Sequence, residues 1–180
     1  RGEGTVERLV PILAAAGVES EVVTFLQAEG EKVSSTGARE LIAAGAVREA
    51  ARLLGRPVVL DGRVVRGEQR GRTIGVPTAN VHLPPRRLRP ARGVYAGWAV
   101  LRGKRYRAAV NVGVKPTFGV LGETVEAHLL DYRGPEFYGE RLTVELIDRI
   151  RDERRFSSVE ELVARIRQDI LEAERVLGAP

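Results

Sequence analysis

Apolar residues recur at helical spacing near both ends of this chain and at strand spacing through its middle. Over 5–16, Val6, Leu9, Val10 and Leu13 fall on one helical face, and Gly17 is placed to end the helix. Glu21 to Leu26 reads as a short strand, and Gly30 to Ser35 as a polar loop. Ser34-Ser35-Thr36 precedes a helix over 37–44 and offers it an N-cap. A further helix over 47–54 runs out at Gly55 and Pro57.

From Pro57 the signal is β. The spacing predicts strands over 58–65, 93–101, 105–112, 124–131 and 142–150, with Gly62 a candidate bulge. Arg102-Gly103-Lys104 makes a tight hairpin turn, and the prolines of His82-Leu83-Pro84-Pro85 exclude a regular element there. Five or six closely spaced antiparallel strands predict a barrel or a sandwich. A last helix begins at Ser157 or Ser158, with Glu160 and Glu161 placed for a capping box. Val159, Leu162, Ile166, Ile170 and Leu177 give it an apolar stripe that packs on the strands. The expected fold is thus mainly β with a C-terminal helix, preceded by an α/β segment over 1–56.

Composition narrows the chemistry. With 180 residues, 43% hydrophobic, the chain can bury a sizeable core. No apolar run reaches the roughly 18 residues of a membrane span. Without cysteine there is no disulfide, thiolate metal site or cysteine nucleophile, which fits a reducing cytoplasm. Methionine is also absent and residue 1 is Arg, so a piece of a longer protein is expected. The net charge of +5 suits an anionic ligand and equally a solvated, arginine-rich surface.

Features for chemistry converge on Gly71-Arg72-Thr73-Ile74-Gly75-Val76-Pro77-Thr78-Ala79-Asn80, flanked by Arg66 and Arg70. Glycines allow close backbone approach, and exposed amides in such a loop attract anions. Thr78 and Asn80 would share one side of an extended backbone and offer the hard oxygens that magnesium takes alongside phosphates. Glycines for turn geometry alone would satisfy the same spacing, and the segment is not a Walker A loop. On the strand over 124–131, Glu126 and His128 share the face opposite Val125, Ala127 and Leu129. A carboxylate there is either solvated or a base.

The residues from Val64 onward resemble the riboflavin kinase (flavokinase) family. The resemblance rests on Gly75-Val76-Pro77-Thr78-Ala79-Asn80, then Gly93-Val94-Tyr95-Ala96-Gly97, then Asn111-Val112-Gly113 with Pro116-Thr117-Phe118-Gly119. Val125-Glu126-Ala127-His128-Leu129-Leu130-Asp131, Phe137-Tyr138-Gly139-Glu140 and Phe156 follow in the family's order. It extends over about Pro57 to Leu177, with Ile74 and Val76 as apolar departures. It implies a six-stranded antiparallel Greek-key barrel over 57–180 and transfer of the ATP γ-phosphate to riboflavin, giving FMN and ADP. Glu126 is then the general base. Gly71, Arg72, Gly75, Thr78 and Asn80 hold ATP and its phosphates, with Thr78 and Asn80 as Mg²⁺ ligands. Arg151 stacks on the flavin, Asp169 is a further flavin-site candidate, and His128 is packing or solvent-facing.

In bacteria this domain is usually the C-terminal half of a bifunctional riboflavin kinase/FMN adenylyltransferase. Residues 1–56 are similar to the end of the adenylyltransferase domain, and Ser34-Ser35-Thr36 with Arg39 to its phosphate-binding signature. That domain's His-x-Gly-His motif is absent, the only histidines being His82 and His128. The resemblance implies ATP and riboflavin as small-molecule substrates, no nucleic-acid or membrane partner, and an adenylyltransferase domain in cis in the parent protein. Two other classes compete. An RNA-binding barrel would use Arg86, Arg87, Arg89 and Arg92, but few aromatics interleave for base stacking. A flavin-binding fragment without catalysis would bind riboflavin and not turn it over.

Overall fold

A computed structural model describes residues 4–24, 27–28, 31–117 and 120–178. The chain forms two compact units, Arg1–Val33 and Ser34–Pro180. The first holds helix α1 (Val6–Ala15), with Pro11 inside it and a left-handed Gly17 just beyond its end. It also holds a two-stranded ladder of β1 (Gln27–Ala28) and β2 (Glu31–Lys32). The strand expected over 21–26 is not found: 21–24 have no regular structure, and 25–26 lie outside the described residues. Val22 and Val23 favour extended backbone, but a strand also needs a paired neighbour, and the ladder forms downstream.

The second unit opens with α2 (Ser35–Ala44) and α3 (Val47–Leu54). The Ser34 hydroxyl caps α2 by accepting from the Gly37 amide at 3.0 Å. Left-handed Gly45 and Gly55 end the two helices. Val47 and Ala50 bury the inner face of α3 in the core of the strands that follow.

Those strands are β3 (Val58–Val65), β4 (Ala79–His82), β5 (Gly93–Leu101), β6 (Lys104–Thr117), β7 (Val120–Leu129) and β8 (Arg141–Asp152). They close into an antiparallel barrel in the order β3-β4-β7-β6-β5-β8. β5, β6 and β7 are consecutive neighbours, while β4 lies beside β7, which is a Greek key. Alternation fills the interior: Val58, Leu60 and Val64 on β3, Val110 and Val112 on β6, Val125 and Ala127 on β7, Leu142, Val144 and Leu146 on β8. β5 is instead buried continuously from Gly93 to Gly97, because helix α5 (Val159–Leu177) covers its outer face.

Three local features differ from expectation. Gly62 is no bulge, since β3 pairs β8 in unbroken register. A Cβ there would run into the His82 backbone, so the glycine permits close strand approach. The bulges lie between β5 and β8, at Val94/Tyr95 and Ala96/Gly97. The glycine loop contains a helical turn, α4 (Arg70–Thr73), and then the short strand β4. At the start of α5, the Ser158 hydroxyl accepts from the Glu161 amide at 3.1 Å, and Glu161 accepts from the Ser157 amide at 3.0 Å. Arg107 on β6 pairs with Asp131, just beyond β7, and donates to the Gly178 carbonyl at the end of α5. The Arg107 hydrogen bond holds the Asp131 carboxyl below its ordinary value.

Candidate active site

Glu126 is carried outward by the alternation that turns Val125 and Ala127 into the core. Its register partners are Asn80 on β4 and Asn111 on β6, so three polar residues form one row across three strands. Thr78 lies just before β4, and its hydroxyl donates to Glu126 Oε2 at 3.3 Å. A carboxylate and a hydroxyl, both half-buried, therefore meet on the outer barrel wall.

Two cavities meet at Thr78. One, of about 310 Å³, lies between the barrel wall and α5 and is lined by Glu126, Asn111, His128, Arg151, Phe156 and Asp169 among others. The other, of about 250 Å³, is lined by Arg72, Pro77, Glu136, Phe137 and Tyr138, with Tyr132 beside them. Tyr132 and Phe137 meet edge to face with centroids 5.1 Å apart. Arg72 on α4 pairs with Glu136 across this second cavity.

The backbone of the glycine loop is tightly folded. The Val76 amide donates to the Gly71 carbonyl at 2.7 Å. A Cβ on Gly71 would strike the Val76 carbonyl, and Gly75 sits at φ +77°. Gly71 faces the larger cavity and Arg72 the smaller. The Asn80 amide packs directly against Gly67, where a Cβ would displace it.

His128 differs from the expectation that it only packs or faces solvent. Its Nδ1 lies 2.7 Å from the Pro77 carbonyl oxygen, which only accepts, so Nδ1 carries the proton. The ring thereby ties β7 to the residue preceding Thr78. Arg151, on β8, gives Nε and Nη2 to the two oxygens of Asp169 at 2.8 and 2.7 Å. Asp169 also accepts from Arg165 Nε at 3.0 Å and is 3% exposed.

Sequence reasoning left Asn111, His128, Glu136 and Tyr132 without site roles. Asn111 carries a signal, a polar residue amid the apolar run from Ala108 to Val114. Glu136 and Tyr132 lie in the irregular segment between β7 and β8, where no periodicity marks them. The Phe118-Gly119 motif lies outside the described residues.

This is a small closed antiparallel barrel whose polar site sits on the outside of the wall, roofed by a helix. The chain belongs to the riboflavin kinase family: the Flavokinase family model matches residues 54–177. It is 41% identical over 165 residues to the bifunctional riboflavin kinase/FMN adenylyltransferase of Pseudomonas fluorescens, covering 91% of this chain and 52% of that protein. To the protein of the same name from Escherichia coli strain K12 it is 39% identical, covering 93% and 54%. The chain spans about half the length of the curated relatives it matches. Among solved structures, riboflavin kinase from Trypanosoma brucei superposes with a TM-score of 0.54 at 30% identity, covering 69% of this chain and 82% of that one. A structure titled macrolide-efflux protein from Streptococcus pneumoniae gives 0.78 at 40% identity, covering 84% and 50%.

Proposed function

We propose that this chain transfers the γ-phosphate of ATP to the 5′-hydroxyl of riboflavin, giving FMN and ADP. The observation that carries the reading is the Thr78–Glu126 contact at the place where the two cavities meet. One cavity then takes the flavin and the other the nucleotide, and the reacting oxygen and phosphorus meet beside Glu126. The O5′–Pγ bond forms as the bond from Pγ to the bridging oxygen of ADP breaks, and the hydroxyl proton goes to Glu126. Asn111, next to Glu126 in register, is placed to fix that carboxylate or the flavin hydroxyls.

The Arg72 guanidinium and the Gly71 amide would hold the phosphates, whereas the Arg72 and Gly75 amides already donate to the Gln69 and Arg72 carbonyls at 3.0 and 3.1 Å. The hydroxyl of Thr78 and the amide oxygen of Asn80 are hard oxygen donors suited to Mg²⁺. Among the described residues no group of three or more His, Cys, Asp or Glu could hold a metal ion. The fit is therefore to an ion held largely by substrate phosphates, with Thr78 and Asn80 as its protein ligands. Mg²⁺ would supply charge neutralisation at the phosphates. The aromatic wall of Tyr132, Phe137 and Tyr138 suits the adenine ring.

We also infer a cytoplasmic protein in which residues 1–56 end an adenylyltransferase domain joined to the kinase in cis, as the names of the bacterial relatives suggest. The Streptococcus title points instead to transport. Among the described residues no helix is long and apolar enough to cross a membrane. The Flavokinase match over 54–177 weighs for the kinase.

The test is FMN formation from riboflavin and MgATP. Glu126→Gln is expected to lower kcat by about 10²–10⁴-fold while riboflavin still binds. Full activity in the variant would remove Glu126 as base; riboflavin binding without turnover by the wild-type chain would favour a flavin-binding module.

A further inference from the structure

Among the described residues Asp169 is the buried charged side chain of the core, and it belongs to no ladder or cap. It sits on α5 among Ile166, Ile170 and Ala173, on the face turned to the barrel. Both of its oxygens are engaged, Oδ1 by Arg151 Nε and Arg165 Nε, Oδ2 by Arg151 Nη2. Asp169 lines the larger cavity, and three of its roughly four acceptor sites already go to arginine, leaving one on Oδ2.

Arg151 is the reverse case. A guanidinium has five N–H donors. Two go to Asp169 and one, from Nη1, to the Asp152 carbonyl at 2.8 Å. Five less three leaves two, one on Nη1 and one on Nη2, without an acceptor among the described residues. Arg151 lines the cavity with its side chain only 15% exposed, so these donors lack the full hydration that a surface arginine enjoys. The bidentate grip of a carboxylate fixes the plane of the fork. Two arginines around one carboxylate also leave the cluster with one net positive charge.

We propose that Asp169 is a positioning residue. It acts through Arg151, holding the guanidinium so that its two remaining N–H groups meet adjacent acceptor atoms on the pyrimidine edge of the flavin ring. This rests on the reading of the larger cavity as the flavin site. It replaces two expectations from the sequence, that Asp169 contacts the flavin itself and that Arg151 stacks on the ring. In-plane donation suits a fork already held on its other side, and the Phe156 ring occupies one side of Arg151, 5.7 Å from Cζ.

The experiment is equilibrium binding of riboflavin, followed by quenching of flavin fluorescence without ATP, for wild type, Asp169→Asn, Arg151→Ala and the double variant. Loss of a charge-assisted contact predicts about a tenfold weaker Kd for either single variant. The double variant should be no weaker than Arg151→Ala alone, because the two residues act as one unit. Lumiflavin, which keeps the ring and lacks the ribityl chain, should lose the same factor. KM for MgATP should stay within about twofold.

An unchanged Kd in Asp169→Asn, or losses that add in the double variant, would overturn the positioning role. An effect on riboflavin absent with lumiflavin would overturn the ring-edge contact. Removing the carboxylate leaves two part-buried guanidinium groups facing each other, so Asp169→Glu serves where Asp169→Asn fails to fold. It keeps the charge and shifts it by one methylene, and a wild-type riboflavin Kd there would equally overturn the inference. If the wild-type chain binds no riboflavin, it is the flavin reading of the cavity that fails.

Discussion

On one side of Thr78 the cavity is bridged by Arg72 and Glu136, whose side chains are 57% and 45% exposed. On the other side the wall is set by Asp169 and Arg151, at 4% and 15%. Both contacts are arginine–carboxylate pairs, and their surroundings give them different capacities. An exposed pair contributes roughly 0–1 kcal/mol and is readily exchanged for another anion. A buried one costs about 3–5 kcal/mol to break from one side, so it holds its geometry while a ligand comes and goes. On the proposed function, the nucleotide would enter the side that can adapt as phosphates arrive, and the flavin the side that is pre-organised.

Thr78 belongs to both sides, and its loss should show no preference between them. Thr78→Ala is expected to lower kcat by about 10²–10³-fold, the scale for removing one transition-state contact. Steady-state kinetics with each substrate varied would check this. A rise in the KM of one substrate with kcat unchanged would separate the cavities and remove Thr78 from the chemistry. The His128 contact to Pro77 supports the larger effect, because the residue before Thr78 is itself anchored to the strand that carries Glu126.

Arg72→Ala should act on one side only. We expect KM for MgATP to rise about tenfold with the riboflavin Kd unmoved, as for loss of a charge-assisted contact to phosphate. A changed riboflavin Kd in this variant would erase the contrast between the cavities.

The barrel and the helix over it were legible because their periods are strong. Val58, Leu60 and Val64 alternate, and Leu162, Ile166 and Ile170 repeat at helical spacing. Asp169 was named only as a flavin-site candidate, and its burial and its two arginine partners emerge from the packing of the helix on the barrel. Glu126 could be placed on the outer face from alternation, but its neighbours could not. Asn80 and Asn111 reach it through pairing between segments far apart in sequence, and register is not written in any one strand. Gly62 misled because a bulge and a close approach both call for glycine, and only the His82 backbone distinguishes them. The Arg72–Glu136 bridge was invisible, since it joins a four-residue helical turn to an irregular loop 64 residues away.

That bridge yields the smallest expected effect and tests the contrast most directly. If Arg72 serves the phosphates, Glu136 competes with them for the same guanidinium, and neutralising it frees the arginine without removing any ligand contact. Glu136→Gln should therefore lower KM for MgATP, by at most about fivefold given the modest strength of exposed pairs. The effect should shrink as salt rises, because screening weakens the bridge in the wild type. Riboflavin Kd should not move. A raised KM for MgATP would mean instead that Glu136 positions Arg72 as Asp169 positions Arg151, and the two cavities would then be built alike.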